Sequence, residues 1–337
     1  MRILHLYRPR IPETRAQALQ VVHTCHALAS RGHAITLLAD RAEGFGGGAA
    51  EALEAYGLDH PAGFDLRISP TGWLPGAGLW FRMMVSTWCM KPGVVYARAK
   101  RYISWVPARI PVVLEAHELD SALDVEAGRD PTANRMLEAS VFARARGIVT
   151  NCGGTLDCIR AAYAELPPAR VVWNATRADR AVVGVGGTGV GVVGSAKEYK
   201  GVAEVLRAAG VPVTLVGASS PIPGVTVRPP VPYSEVPAAL AAFDALLLPL
   251  APNLFGRALT NPLKLWDYLA TDRPIVAPDL PTIREVTNAV HLYDPADLST
   301  LPAAISRALA QGHRSSQLRT WDDRAAEIEA FLLALAP

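Results

Sequence analysis

Short β-branched runs alternate along the chain with stretches whose apolar residues recur every three or four positions. The runs read as strands at 3–7, 34–39, 94–97, 112–115, 147–150, 171–173, 190–193, 213–216, 245–250 and 275–277. Between them the helical period predicts helices over 15–31, 134–146, 155–163, 202–209, 235–242 and 263–270. A closing helix over 317–335 carries Trp321 near its start. In the first helix Ala18, Val22, Cys25 and Ala29 share a face with Val21 and Leu28 beside them, and Gly32 stands where a left-handed residue ends a helix. Such alternation builds parallel sheets.

The rhythm breaks at 176–191, where Gly184, Gly186, Gly187, Gly189 and Gly191 cluster, and then restarts. This predicts an α/β chain of two Rossmann-like doubly wound domains facing across a cleft. The first would span 1–176 and the second 177–316, with 317–337 as a closing segment. Ligands in such sheets bind beyond the carboxyl ends of the strands. The glycine run satisfies G-x-G-x-x-G, with Glu204 20 residues after Gly184. A dinucleotide fingerprint must open a helix, however, and 190–193 reads as a strand. A flexible linker is the better account.

Composition narrows the classes. At 337 residues and 50% hydrophobic, the chain can bury two cores. Its 33 basic and 31 acidic groups leave a net charge of +2, which gives no electrostatic reason for a nucleic-acid partner. Four cysteines (Cys25, Cys89, Cys152, Cys158) form no C-x-x-C pair, as suits a reducing cytoplasm. The N-terminal apolar run is too short for a signal peptide, and no apolar stretch approaches the roughly 18 residues of a spanning helix. The 73–88 region, with Trp73, Trp80, Arg82 and Trp88 and with Lys91 near, suits either peripheral contact with the inner face of a membrane or core packing. His23 and His26 stand at i, i+3 without a third ligand, so they read as helix-face histidines and no metal site is expected. No cofactor is implied.

Two clusters carry chemistry. In 260–277, Thr260 or Asn261 is placed to cap a helix with Pro262 in its first turn, and Lys264 stands one turn in. That helix end would attract a phosphate, and Asp267, three residues past Lys264, suits the hydroxyls of a ribose. The second cluster, Gly194-Ser-Ala-Lys-Glu-Tyr-Lys-Gly201, is strand end, loop and helix start with two lysines. Both follow strands of the second half, and together they form a diphosphate site by charge.

Asn261-Pro-Leu-Lys-Leu-Trp-Asp267-Tyr-Leu-Ala, followed by Arg273-Pro-Ile-Val-Ala-Pro and Ile283-Arg-Glu-Val286, resembles glycosyltransferases of the GT-B fold, family 4 type. The 194–201 loop is similar to that family's glycine-to-lysine-glycine loop. Arg15-Ala-Gln-Ala-Leu-Gln20, Val95-Tyr-Ala-Arg98 and Leu114-Glu-Ala-His117-Glu118 are similar to its N-terminal landmarks. Two positions depart from the pattern: Ser195 replaces an arginine five residues before the loop lysine, and Leu259 replaces the first of two paired glutamates, with Asp267 in place of the second.

The resemblance implies transfer of a sugar from a nucleoside diphosphate to the hydroxyl of a small-molecule, lipid-linked or saccharide acceptor, with retained configuration. Donor contacts would come from Ser195, Lys200, Thr260, Asn261, Leu263, Lys264 and Asp267. His117, with Lys200 and Glu118, would do the catalytic work, and Arg15, Arg98 and Glu118 would face the acceptor. The absence of a D-x-D sequence leaves the leaving-group charge to Lys200, Lys264 and helix N–H groups. An epimerase or hydrolase of the same fold, and a binding protein that has lost catalysis, are the alternatives.

Overall fold

The computed structural model describes all residues except 70–84, 86–88, 178, 180–186, 313 and 336–337. The tryptophan-rich 73–88 region, apart from Val85, and glycines 184 and 186 therefore lie outside the described residues. The chain forms two compact units. Met1–Asn151, Thr155–Trp173 and Trp321–Pro337 make up the first, and Cys152–Gly154 with Asn174–Thr320 the second.

The first unit holds β1 (Arg2–Leu6), β2 (Arg10–Ile11), β3 (Ala34–Arg41), β4 (Phe64–Ser69), β5 (Val94–Ala97), β6 (Val112–Ala116), β7 (Gly147–Thr150) and β8 (Ala169–Val171). All pair in parallel, in the order β2-β3-β1-β5-β6-β7-β8, with β4 also on β3. The strand order reverses between β1 and β5, so Tyr7 and Arg98 end neighbouring strands there. Its helices are α1 (Ala16–Ser30), α2 (Ala49–Glu54), α3 (Asp120–Glu126), α4 (Thr132–Arg144) and most of α5 (Gly153–Ala162).

The second unit holds β9 (Val190–Val193), β10 (Val213–Val216), β11 (Val225–Arg228), β12 (Ala245–Leu247), β13 (Ile275–Pro278) and β14 (His291–Tyr293), parallel in the order β11-β10-β9-β12-β13-β14. This doubly wound order reverses between β9 and β12. Its helices are α6 (Val202–Arg207), α7 (Val236–Ala241), α8 (Leu254–Ala258), α9 (Leu263–Leu269), α10 (Pro281–Arg284) and α11 (Leu301–Gln311). The closing helix, α12 (Trp321–Ala334), packs on α1 in the first unit.

That packing explains why α1 is buried nearly all round and not on one stripe. Gln20, His23 and Thr24 are buried along with the apolar face, because the sheet covers one side and α12 another. His23 stacks on Trp321 with ring centroids 5.3 Å apart, and His26 pairs with Asp59 at 2.8 Å. Gly32, at φ +90°, ends the helix as expected.

The two faces of the first sheet differ. Leu4, Leu6, Val95, Ala97, Val112, Leu114 and Ala116 form an apolar core with Phe142, Ile148 and Ile159. On the other face alternation places His5, Tyr96 and Glu115, all buried. Side-chain period alone thus puts a carboxylate inside the sheet's polar layer.

Several expectations are corrected. The strand placed at 171–173 is Ala169–Val171, and that at 245–250 ends at Leu247. The closing helix starts at Trp321, four residues later than expected. Strands β2, β4, β11 and β14 were not foreseen. The described end of the glycine run is not a loose linker: a side chain on Gly187 would lie 2.2 Å from the Phe243 backbone, and one on Gly191 would strike the Phe243 ring. The absence of side chains there makes room for that phenylalanine. No described helix is long and apolar enough to cross a membrane.

Candidate active site

In the second unit the site grows from the end of β9. Gly194 follows it at φ +127°, a conformation closed to most side chains. A Cβ there would lie 2.2 Å from Cε of Lys264, so the missing side chain is the space through which the lysine passes. The Lys264 ammonium reaches the Ser195 carbonyl at 3.5 Å, a loose contact. One helical turn of 3₁₀ type, Glu198–Lys200, then presents Lys200, and Gly201 at φ +62° turns the chain into α6.

Lys200 is held by rings instead of acids. Its ammonium lies 5.6 Å from the Tyr199 ring centroid and 5.9 Å from that of Phe255. Phe255 belongs to α8, which follows β12, so the contact spans the point where the strand order reverses. Asn253 fastens it: its amide donates to the Tyr199 carbonyl at 2.7 Å while its carbonyl caps α8 at Gly256.

Neither lysine has an ion-pair partner among the described residues. Burial and the neighbouring Lys200 bring the Lys264 ammonium down to about 7. Burial and Lys197 lower Lys200. Two cations, partly desolvated and repelling each other, leave a place of unmet positive charge at the carboxyl edge of the sheet.

The rest of the expected donor set is placed differently. Neither Thr260 nor Asn261 caps α9; Pro262 occupies the cap position without a side-chain bond, and the helix is only seven residues long. Asn261 is buried, and its carbonyl oxygen accepts from the Asn174 N–H and the Trp266 indole, each at 2.7 Å. Thr260 is buried and Leu263 half-buried. Asp267 is turned inward and accepts from the Thr176 hydroxyl at 2.6 Å. Leu259, at 1% exposure, packs where the family pattern has a glutamate. The unmet charge here therefore rests on lysines more than on a capped helix end.

In the first unit, His117 follows β6, half-buried. Its Nε2 lies 2.7 Å from Oε1 of Glu115, two residues back on the same face. The same oxygen accepts from the Gln20 amide at 2.7 Å and from the Arg324 guanidinium. The Gln20 carbonyl in turn accepts from Arg98, whose guanidinium lies 5.2 Å from the Tyr7 ring centroid. Burial raises the Glu115 carboxyl, but Arg324, His117 and Arg98 outweigh it and hold the acid well below its ordinary range. Burial and Arg98 take the His117 imidazole down to about 4, so it is neutral at physiological pH.

Glu118 is half-buried, and its carbonyl accepts from Lys100, which also pairs with Asp120 and Glu138, each at 2.8 Å. That tripod fixes the turn bearing His117. Arg15 is exposed and paired with Glu13 at 2.8 Å, outside the bonded His117–Arg98 group. Sequence reasoning named His117 and Arg98 but not Glu115, Gln20 or Arg324 as their supports. A charged residue inside the run Val112-Val-Leu-Glu-Ala was the available signal.

Residues 17–180 match the family model described as Glycosyltransferase Family 4. Comparison with curated proteins finds no match. Among solved structures, the chain is similar to sucrose-phosphate synthase from Thermosynechococcus elongatus, with a TM-score of 0.74 and 14% identity over 99% of this chain and 98% of that one. It is similar to HepE from Anabaena in complex with UDP and glucose, with a TM-score of 0.70 and 16% identity over 98% and 99% of the two chains. It also resembles WaaG, a glycosyltransferase involved in lipopolysaccharide biosynthesis, with a TM-score of 0.64 and 14% identity over 98% and 95%. The fold is that of the GT-B glycosyltransferases, and residues 17–180 carry the match to the family 4 model.

Proposed function

We propose that the protein transfers a hexose from a nucleoside-diphosphate sugar to an acceptor hydroxyl with retention of configuration. The observation that carries the donor half is the pair of lysines, Lys200 and Lys264, that no acidic side chain neutralises among the described residues. A diphosphate supplies the missing countercharge, and more of it accumulates as the sugar departs. The Ser195 carbonyl lies beside Lys264, and Thr260, Asn261, Leu263 and Asp267 complete the donor contacts of this reading. UDP, the nucleotide bound by HepE, is the first donor base to test.

His117 contacts the departing sugar, and Arg98, Glu118 and Arg15 meet the acceptor. The C1–phosphate bond breaks toward the lysines, giving an oxocarbenium-like transition state. The acceptor oxygen bonds to C1 on the same face, and its proton passes to the leaving phosphate oxygen. The buried Glu115 is engaged by three donors, which leaves it unsuited to act as a nucleophile on the sugar. The acceptor is a small molecule, a saccharide or a lipid-linked sugar; the last would place the protein at the inner face of the cytoplasmic membrane.

Thermal unfolding in the presence of UDP, GDP, ADP and TDP tests the donor half, because a ligand of the native state raises the melting point. One nucleotide should stabilise the protein, and Lys200→Ala should abolish that shift. A Lys200→Ala protein that keeps both the shift and donor turnover would overturn the assignment.

A further inference from the structure

We infer that Glu115 and Arg324 are positioning residues that hold His117 as the neutral tautomer with its proton on Nε2, leaving the Nδ1 lone pair to accept a hydrogen bond from a sugar hydroxyl. The inference rests on the proposed contact of His117 with the transferred sugar, but the geometry beneath it is independent of that contact.

Glu115 sits inside the sheet at 1% exposure, and three donors converge on one of its oxygens: His117 Nε2, Gln20 Nε2 and Arg324 Nη2. An ionised carboxylate only accepts hydrogen bonds. The imidazole nitrogen facing it must therefore carry the proton. His117 is kept neutral by burial and by the Arg98 cation, so its other nitrogen is unprotonated. Nδ1 has no partner among the described residues. The imidazole is thus built as an acceptor, and it cannot offer an N–H to an oxyanion from that side.

Arg324 keeps Glu115 ionised. It is fully buried on α12, and its guanidinium is fixed on every side. Nε donates to Thr24 Oγ1 at 3.2 Å, Nη1 to the carbonyls of Val172 and Trp173, each at 2.7 Å, and Nη2 to Glu115. The same carboxylate orients the Gln20 amide, so that its carbonyl faces Arg98. Packing alone does not call for this arrangement, since apolar residues of similar volume commonly replace a buried ion pair at little cost. What an apolar pair cannot do is fix a tautomer. The groups facing His117 and its partners are Glu115 on β6, Glu118 beside it, His5 on β1, Tyr7 after β1, Arg98 after β5 and Arg324 on α12.

Long-range proton–nitrogen NMR of the full chain labelled with ¹⁵N-histidine reads the tautomer directly, with His117 assigned by its loss in His117→Asn. The expected spectrum shows a neutral ring protonated on Nε2, unchanged from pH 8 to pH 5. A second arm uses Glu115→Leu with Arg324→Met, which removes both charges together. The double variant should lose the single tautomer and release UDP from UDP-glucose about 10- to 100-fold more slowly in kcat, with the KM for UDP-glucose within about twofold. A proton on Nδ1, a charged ring at pH 7, or a folded double variant with wild-type kcat would overturn the inference. If the double variant does not fold, the wild-type spectrum still decides. Failure of the functional reading looks different: the Nε2–H ring would be present while the wild-type protein neither binds nor turns over any nucleotide sugar.

Discussion

Cε of Lys264 lies 2.2 Å from where a side chain on Gly194 would begin, so the lysine's path exists only because residue 194 has no Cβ. Gly194→Ala should therefore separate stability from binding. The left-handed φ of +127° and a displaced but flexible lysine tip cost about 1–3 kcal/mol, read as a lower urea midpoint. Nucleoside-diphosphate affinity should fall at least about tenfold, beyond what that destabilisation explains, because the ammonium loses its place. Equal nucleotide affinity in a folded Gly194→Ala protein would count against Lys264 as a donor contact.

Restoring the family's acid at position 259 should not restore anything. Leu259 is 1% exposed, so a glutamate there would bring its carboxylate into a buried position. Leu259→Glu is expected to destabilise the protein by about 3 kcal/mol or more without raising donor turnover. Denaturant unfolding and a turnover assay check both halves.

The turn carrying His117 should depend on a buried pair behind it. Lys100 bonds the Glu118 carbonyl, Asp120 and the fully buried Glu138. Lys100→Met strands the Glu138 carboxylate and should cost about 3–5 kcal/mol; adding Glu138→Leu should recover most of it. Burial pushes the Glu138 carboxyl up, but Lys100 and hydrogen bonds from Ser121 and Tyr163 leave it below its ordinary value of 4.5. A depressed carboxyl stabilises the fold above its unfolded pKa, so this contribution is full at neutral pH and fades as pH falls below about 4.5. Wild-type stability should drop in that window more steeply than that of the double variant.

Most of the architecture was legible because buried parallel strands are short β-branched runs, and the chain repeats them between helical stretches. Strand β9 and its following lysine loop were placed to the residue. Edge strands escaped: β11 alternates half-buried and exposed positions, and β14 is three residues long. Lys200 and His117 could be named because each follows a strand, and Lys264 because it stands in the first turn of a helical stretch. Glu115, Gln20 and Arg324 could not be joined, since Glu115 meets partners 95 and 209 residues away in the chain. The capping role expected of Asn261 failed for a similar reason: Asn174 and the Trp266 indole, brought close by folding, take its carbonyl oxygen.

If a diphosphate completes the charge of Lys200 and Lys264, its arrival is coupled to a proton. Lys264 is held at about 7 when alone, so an anion arriving beside it must raise its proton affinity. Calorimetry of UDP-sugar binding at pH 8, repeated in buffers of different ionisation heat, should show uptake of about one proton, and affinity should weaken roughly tenfold from pH 6 to pH 8. Lys264→Met should bind more weakly and take up none. Binding that is pH-independent and proton-neutral in the wild-type protein would contradict the account.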